Sequence, residues 1–216
     1  MNKNLALGLA TLALSIANAP NAQAALINGV TASTNMTGSS GFEINNIANG
    51  SGLSSLSLTA THSQSSIANA WTSGLNPAST GNFTFNLNGL YSLSGLSVWN
   101  WNNNTLVGVK GVNVLTSTDG INFTVVGDAP TQFAAGEDPG PESPERFSFA
   151  PVSASYVRFN VLSNQGLGIG LSEVQFDGSP SATAVPEPLT IVGTLAGFGG
   201  GAALKLRLRG VKSKSV

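Results

Sequence analysis

The sequence predicts an all-β protein, a single jelly-roll β-sandwich, and three observations lead to that prediction. Apolar and polar residues alternate in short segments such as 82–88, which is typical of a strand with one buried face. Glycine, asparagine and serine separate these segments, as turns between strands require. Between residues 25 and 178 we find no amphipathic segment of helical period and useful length. Short strands joined by such turns are typical of sandwiches and jelly rolls.

Alternation or an apolar run predicts strands at 82–88, 94–101, 112–115, 123–126, 146–149, 156–161 and 173–176. Asp119-Gly120 stands between two of these segments and predicts a hairpin. The ten phenylalanines would supply much of a core, which a domain of this size forms without disulfides. The segment 136–145 is acidic and rich in proline, so we expect it to be an exposed loop.

The N-terminal residues have the three parts of a secretory signal peptide in the correct order. Lys3 precedes an apolar run at 5–17, and Ala22 and Ala24 then form a small-residue cleavage site. The run is too short to span a bilayer stably. We therefore expect residues 1–24 to be removed and the mature domain to occupy 25–178. The alternative is a buried N-terminal helix.

The C-terminal residues form a second processing segment, after a short linker at 179–185. Pro186-Glu187-Pro188 begins it, an uncharged span follows to residue 204, and five basic residues lie within 205–216. Five glycines make the span a poor transmembrane helix. The segment 186–216 resembles the PEP-CTERM sorting signal of exported bacterial proteins. That resemblance implies removal by an exosortase-type protease, a transient inner-membrane anchor and a link to exopolysaccharide and biofilm. A simple single-pass anchor is the alternative.

Composition excludes several classes of function. The whole chain has a net charge of -1, but the middle region holds nine acidic and three basic residues, a net charge of -6. That balance excludes a nucleic-acid binder, which needs a basic surface. The absence of cysteine excludes disulfides and thiolate zinc sites. His62 is the only histidine, which excludes a two-histidine metal site, and its polar neighbours predict a solvated loop position.

The middle region contains six motifs in succession, at 70–73, 82–87, 94–100, 117–123, 156–159 and 170–178. Their order resembles the coagulation factor 5/8 type C, or discoidin, domain. The resemblance implies a galactose-binding-like jelly roll, a fold whose members commonly bind carbohydrates or other cell-surface groups. The chain departs from the family in lacking a disulfide and in a diverged segment before Trp71.

Aromatic rings and planar amides are the side chains that bind sugars, through their apolar faces and their hydrogen bonds. Trp99 and Trp101 share one face of a strand, and Trp99 is predicted to lie in the core. Trp101 enters an asparagine run, so Trp101, Asn102 and Asn103 are candidate ligand contacts, with a core position and loop chemistry as the alternatives. Trp71 is a further candidate, although its motif position is usually structural.

A structural calcium ion is the cofactor that the resemblance implies. The family holds it with backbone carbonyls, an early Asp and a Glu on the last strand. Glu173 matches the last-strand position, and Asn49 stands where the Asp is expected. Asparagine supplies an oxygen without charge, so the affinity is expected to fall. Alternatively, Asn49 serves its turn and Glu173 accepts local hydrogen bonds.

These observations predict an exported, non-catalytic protein of the cell surface or extracellular matrix that binds carbohydrate or exopolysaccharide. Signal peptidase and exosortase are the expected processing partners. The alternative is a structural matrix protein without a specific sugar ligand. A hydrolase is disfavoured because the pairs Glu137/Asp138 and Glu142/Glu145 lie in a proline-rich loop, which is a poor platform for the two acids that glycosidases need, and Asp119 is explained by its turn.

Overall fold

The computed structural model describes residues 25–74 and 79–181. The predicted signal peptide, most of the linker and the predicted sorting signal lie outside the described residues. Within the part of the chain that is described, no helix is long and apolar enough to cross a membrane. The elements are β1 (Ala25–Leu26), β2 (Thr31–Thr34), a 3₁₀ helix (Ile44–Ile47), β3 (Trp71–Thr72), β4 (Gly81–Asn100), β5 (Val112–Ser117), β6 (Thr124–Val125), β7 (Glu145–Val161) and β8 (Gly170–Pro180).

Two long strands, β4 and β7, pair with each other along most of their length. Their register shifts between Asn86 and Tyr91 and again between Leu93 and Gly95. The first shift contains Asn88, whose φ of 57° is a left-handed conformation that asparagine tolerates. Each long strand bends at these register shifts. Each unites two segments that the sequence predicted as separate strands, because β4 and β7 pair again on the far side of the bend.

The bends divide the antiparallel sheet into two layers. The first half of β4 and the second half of β7 form one layer, in the order β2, β4, β7, β5, β6. The remaining halves of β4 and β7 form the other layer with β8, which also pairs with β1 and β3. The predicted all-β sandwich is therefore confirmed.

Phenylalanine rings join the two layers in the core. Phe85 on β4 contacts Phe159 in its own layer and Phe176 on β8, with ring centroids 5.2 Å apart in both pairs. All three side chains are fully buried. Burial of each contributes about 1.5–3 kcal/mol relative to an exposed ring. The expected role of the phenylalanines in the core is thus confirmed.

The hairpin predicted at Asp119-Gly120 connects β5 and β6, where Leu115 pairs with Val125. Gly120 adopts a left-handed φ of 75° in this turn. Asp119 Oδ1 accepts the backbone N–H groups of Ile121 and Asn122, each over 2.8 Å. These bonds to the ionised form hold the pKa of Asp119 well below its ordinary value. The carboxylate is therefore committed to its own turn.

Two side chains that the sequence predicted to be in solvent are buried. His62 has no exposed surface, and its ring nitrogens lie within hydrogen-bond distance of the carbonyl oxygens of Ser51 and Ser63. Burial lowers the pKa of His62. Glu142 is only 8% exposed, although most other residues of the segment 136–145 are exposed or half-buried, as expected of a loop. The backbones of His62 and Glu142 exchange two hydrogen bonds, which tie this segment to the domain.

Candidate ligand-binding site

A cleft of about 380 Å³ lies where β3 and β4 end. Two aromatic rings and several hydroxyl and amide groups form its walls, and none of the described lining residues is charged. Such a mixture of apolar surface and a few polar groups is typical of small-molecule sites. The lining residues are Ser39, Phe42, Thr72, Gly74, Trp101, Asn103, Asn104 and Val107.

The indole of Trp101 forms a fixed wall of this cleft. It is 7% exposed, and its ring lies 5.7 Å from that of Phe42 at an interplanar angle of 53°. On another side it lies against Gly170, where an added Cβ would stand 2.9 Å from Cε3 of the indole. A glycine is therefore needed for the ring to approach the backbone of β8 so closely. The position of the ring is set by packing before any ligand arrives.

Asparagine side chains shape the loop that follows Trp101. Asn103 is exposed, donates from Nδ2 to the carbonyl oxygen of Ser65 over 2.9 Å and accepts from Gln64. Asn104 closes a turn by accepting the backbone N–H of Leu106 with Oδ1 over 2.9 Å. These bonds hold both amides at the edge of the cleft, where part of their hydrogen-bonding capacity faces solvent.

Asn102 lies beneath the cleft and has no exposed surface. Its Nδ2 donates to the carbonyl oxygens of Ser63 and Gly140 over 3.1 and 3.0 Å, while Oδ1 accepts the backbone N–H of Ser65. Ser172 on β8 joins this network through the hydroxyl of Ser65. The amide thus connects four segments of chain with neutral groups, which leaves it no surface for a ligand in this conformation.

Trp71 also supports the cleft from below. It is 2% exposed and packs edge-on against Phe83, with ring centroids 5.2 Å apart. Of the four predicted ligand contacts, the structure brings Trp101 and Asn103 to the cleft and places Trp71 and Asn102 in its support. Direct contact with a ligand stays a prediction for all four, and burial weighs against it for Trp71 and Asn102.

Sequence reasoning missed two lining residues of the cleft, Ser39 and Phe42. These residues lie in the segment before Trp71, where the motif order diverges. Phe42 was still detectable, since it is a single aromatic residue directly after a run of glycine, serine and threonine at 37–41. No strand pattern explains an aromatic residue at that position.

The two predicted calcium ligands occupy one neighbourhood but have other hydrogen-bond partners. Glu173 is fully buried, its Oε2 accepts the backbone N–H of Gly50 over 3.0 Å, and Oε1 accepts from Gln175. Burial raises the pKa of Glu173 to about 9, although both hydrogen bonds oppose that shift. Asn49 is exposed, and its Oδ1 accepts the backbone N–H of Ser51 over 2.8 Å, which forms an Asx turn.

The donor set around Glu173 does not fit calcium, which takes six to eight oxygen ligands. Among residues 25–74 and 79–181, no three His, Cys, Asp or Glu side chains converge to hold a metal. The nearby carbonyl oxygen of Gly52 already accepts the backbone N–H of Ser63, and that of Ser51 lies 3.0 Å from Nε2 of His62. One carboxylate that faces an N–H donor supplies too few free oxygens, so no chemistry is assigned to a metal here.

Comparison with known proteins identifies the family. The model of the family described as F5/8 type C domain matches residues 29–174. No curated protein matches the chain. Several solved structures share the fold.

The family 32 CBM of NanJ from Clostridium perfringens, solved in complex with galactose, is 12% identical with a TM-score of 0.50. That match covers 72% of this chain and 98% of the module. A family 32 module of the GH89 enzyme of the same organism, in complex with GalNAc-β-1,3-galactose, is 13% identical with a TM-score of 0.47, covering 71% and 98%.

A family 89 glycoside hydrolase from Clostridium perfringens is 20% identical with a TM-score of 0.49, and the match covers 76% of this chain. It covers only 16% of the enzyme, so the likeness is confined to a small part of that protein. The likeness to the NanJ module, at 12% identity and a TM-score of 0.50, shows the fold alone.

Proposed function

Because the chain belongs to the F5/8 type C domain family, we propose that it is a non-catalytic module that binds carbohydrate in the cleft beside Trp101. The observation that carries this proposal is the composition of the cleft walls. Phe42 and Trp101 supply aromatic surface, and Ser39, Thr72 and Asn103 supply hydroxyl and amide groups. Sugars present an apolar ring face and a rim of hydroxyls, which these groups complement.

The chemistry of the walls favours an uncharged sugar. The lining side chains carry no charge, so a uronic acid or sulfated sugar would find no cation to pair with. The cleft of about 380 Å³ has room for one or two monosaccharide units. Because related modules were solved with galactose and with GalNAc-β-1,3-galactose, terminal galactose and N-acetylgalactosamine are the first ligands to test.

The non-catalytic part of the proposal is supported by the lining of the cleft and by the bonds of two acidic residues. Among the described residues, no carboxylate lines the cleft. The carboxylate of Asp119 is committed to the turn between β5 and β6, and Glu173 on β8 is buried with both oxygens bonded. A glycosidase needs two acids that flank the scissile bond.

The experiment is a titration of the 216-residue chain against a glycan panel that includes galactose, N-acetylgalactosamine and uncharged polysaccharides. We expect saturable binding, with a dissociation constant that Phe42→Ala and Asn103→Ala each raise about tenfold. Asn160→Ala and Ile121→Ala are the matched controls, since both residues are exposed outside the cleft. The absence of binding to every glycan would instead favour the structural matrix role.

We also propose that the chain is exported by its N-terminal signal peptide and sorted through the segment 186–216. Support comes from the residues themselves, namely the Ala22 and Ala24 cleavage site and the Pro186-Glu187-Pro188 motif before an apolar span and a basic tail. The proposed location is the cell surface or extracellular matrix after a transient stay in the inner membrane.

A further inference from the structure

A second pocket, of about 250 Å³, lies where the acidic segment 136–145 packs against the end of β4. Three carboxylic acids and no basic residue line it, and it shares no lining residue with the ligand cleft. The acids are Glu137, Glu142 and Glu145, and the other lining residues are Val98, Asn100, Ala134, Ala135, Ser143 and Pro144.

Glu142 is the unusual member of this pocket. Its side chain is 8% exposed, and its Oε2 is buried without a hydrogen-bond partner. Nearly all buried polar atoms in folded proteins have a partner, and an orphaned one costs about 1–3 kcal/mol, more if it is charged. By contrast, Oε2 of Glu145 accepts the backbone N–H of Ala134 over 2.9 Å. A buried, unpaired carboxylate oxygen of a residue that lines a pocket indicates a missing donor.

The charges around Glu142 specify what that donor should be. Burial, followed by repulsion from Glu137 and Glu145, raises the pKa of Glu142 to about 8. His62 is attached to Glu142 only through the backbone, and its ring nitrogens face other carbonyl oxygens. No lining residue of the pocket brings a positive charge to offset the three acids. The site therefore favours a ligand that is cationic and donates hydrogen bonds.

We propose that this pocket binds the primary ammonium group of a small organic ligand, with Glu142 as the principal acceptor and Glu137 and Glu145 as supporting charges. An ammonium group carries three donors on a compact cation, which matches one orphan oxygen and its acidic neighbours. A bare divalent ion fits less well, because no three ligating side chains of the described residues converge on a point. The pocket of about 250 Å³ also exceeds the roughly 30 Å³ share of one water, so it accommodates several atoms of an amine.

The test is an NMR titration of the 216-residue chain with n-propylammonium at pH 9, where Glu142 is largely ionised and an alkylamine, like lysine, is largely protonated. We expect saturable shifts at residues of the pocket. 1-Propanol, which has the same shape without the charge, should leave them unchanged. At pH 6, where Glu142 is protonated, the affinity should fall at least tenfold.

Substitutions distinguish binding of the amine in this pocket from nonspecific attraction of a cation to the acidic domain. Glu142→Gln should weaken propylammonium binding at least tenfold, whereas Glu43→Gln, at an exposed acid outside the pocket, should have no effect. Glu137→Gln, at the exposed side of the pocket, should weaken it about threefold and serves as the second test if Glu142→Gln unfolds the domain.

Other outcomes overturn the inference. Equal binding of 1-propanol would show that charge plays no part, and undiminished binding by Glu142→Gln and Glu137→Gln would place the amine elsewhere. Shifts with CaCl₂ but not with propylammonium would identify a metal site. Asn103→Ala should leave amine binding intact, so this inference and the proposed function fail or succeed separately.

Discussion

Gly50 donates its backbone N–H to Oε2 of Glu173 over 3.0 Å, and this bond attaches the loop at 49–52 to the last strand of the sandwich. A metal ion at this place would need oxygen atoms where the protein puts an N–H donor. Glu173 therefore accepts a hydrogen bond from the loop at 49–52. Because its carboxyl group is buried, the stability of the domain should depend on pH.

The unfolding free energy should fall as the pH rises from about 5 to 9, in part because of Glu173. Its folded pKa of about 9 lies above the unfolded value, so the folded state retains a proton that the unfolded state releases in this range. The stabilisation is complete below the unfolded pKa and is lost as the pH approaches 9. Urea unfolding at pH 5, 7 and 9 measures the slope.

Glu173→Gln removes this titration and should reduce the slope, while Glu142 continues to contribute to it. Glu43→Gln, at an exposed acid, is the control and should match the unsubstituted chain. A slope that is the same with and without Glu173→Gln would contradict the assignment.

Asn102→Ala should lower the unfolding free energy by about 1–3 kcal/mol, since it leaves the buried backbone N–H of Ser65 without its acceptor and removes the bonds to the carbonyl oxygens of Ser63 and Gly140. Asn160→Ala changes an exposed asparagine on β7 and should stay within about 0.5 kcal/mol of the original. Chemical denaturation of both variants provides the measurement. Equal unfolding free energies of the two variants would show that the hydrogen bonds of Asn102 do not stabilise the domain.

Gly170→Ala should weaken sugar binding without contacting the sugar. The new Cβ would stand 2.9 Å from Trp101 and 3.1 Å from Val107, so the indole must move. We expect about a tenfold rise in the dissociation constant and a shift of tryptophan fluorescence. Gly127→Ala is the matched control, because an added Cβ there meets nothing within 4 Å. Unaltered binding by Gly170→Ala would show that the indole position is unimportant.

Replacement of Pro186, Glu187 and Pro188 by alanine should leave the uncleaved protein in the inner membrane of its native host. The expected reason is that the processing protease no longer recognises the tail while the apolar span still anchors it. Fractionation and the mass of the mature protein measure the outcome. Replacement of Ser181, Thr183 and Val185 by alanine in the linker is the control. Normal release of the Pro-Glu-Pro variant would show that the motif is not a sorting signal.

The strands could be predicted from sequence because their inward faces are marked by regular alternation. Phe83, Phe85 and Leu87 show that pattern plainly, and all three are buried. The bends inside β4 and β7 could not be predicted in the same way. Alternation is interrupted at a bend just as at a turn, so the sequence alone does not distinguish one bent strand from two strands.

The site was partly predictable for a different physical reason. Trp101 and Asn103 belong to the loop after a recognisable strand, and the structure places both at the cleft. Asn102 and His62 are polar residues in polar surroundings, which is the usual pattern of solvated loops. Their burial depends on partners far away in the chain, such as Gly140 for Asn102 and the Glu142 backbone for His62, and local sequence carries no sign of those contacts.

The pairing of β1 with β8 has a consequence for how the domain acquires its structure. Ala25 lies opposite Gly178, and Leu26 opposite Asp177, so the earliest strand pairs with the latest. The sheet therefore cannot be completed until about 150 residues of intervening chain are available, and such non-local topology slows folding to the millisecond-to-second range. Synthesis proceeds at about 5–20 residues per second, so the arrival of β8, rather than the folding step itself, sets the time at which the sheet can close.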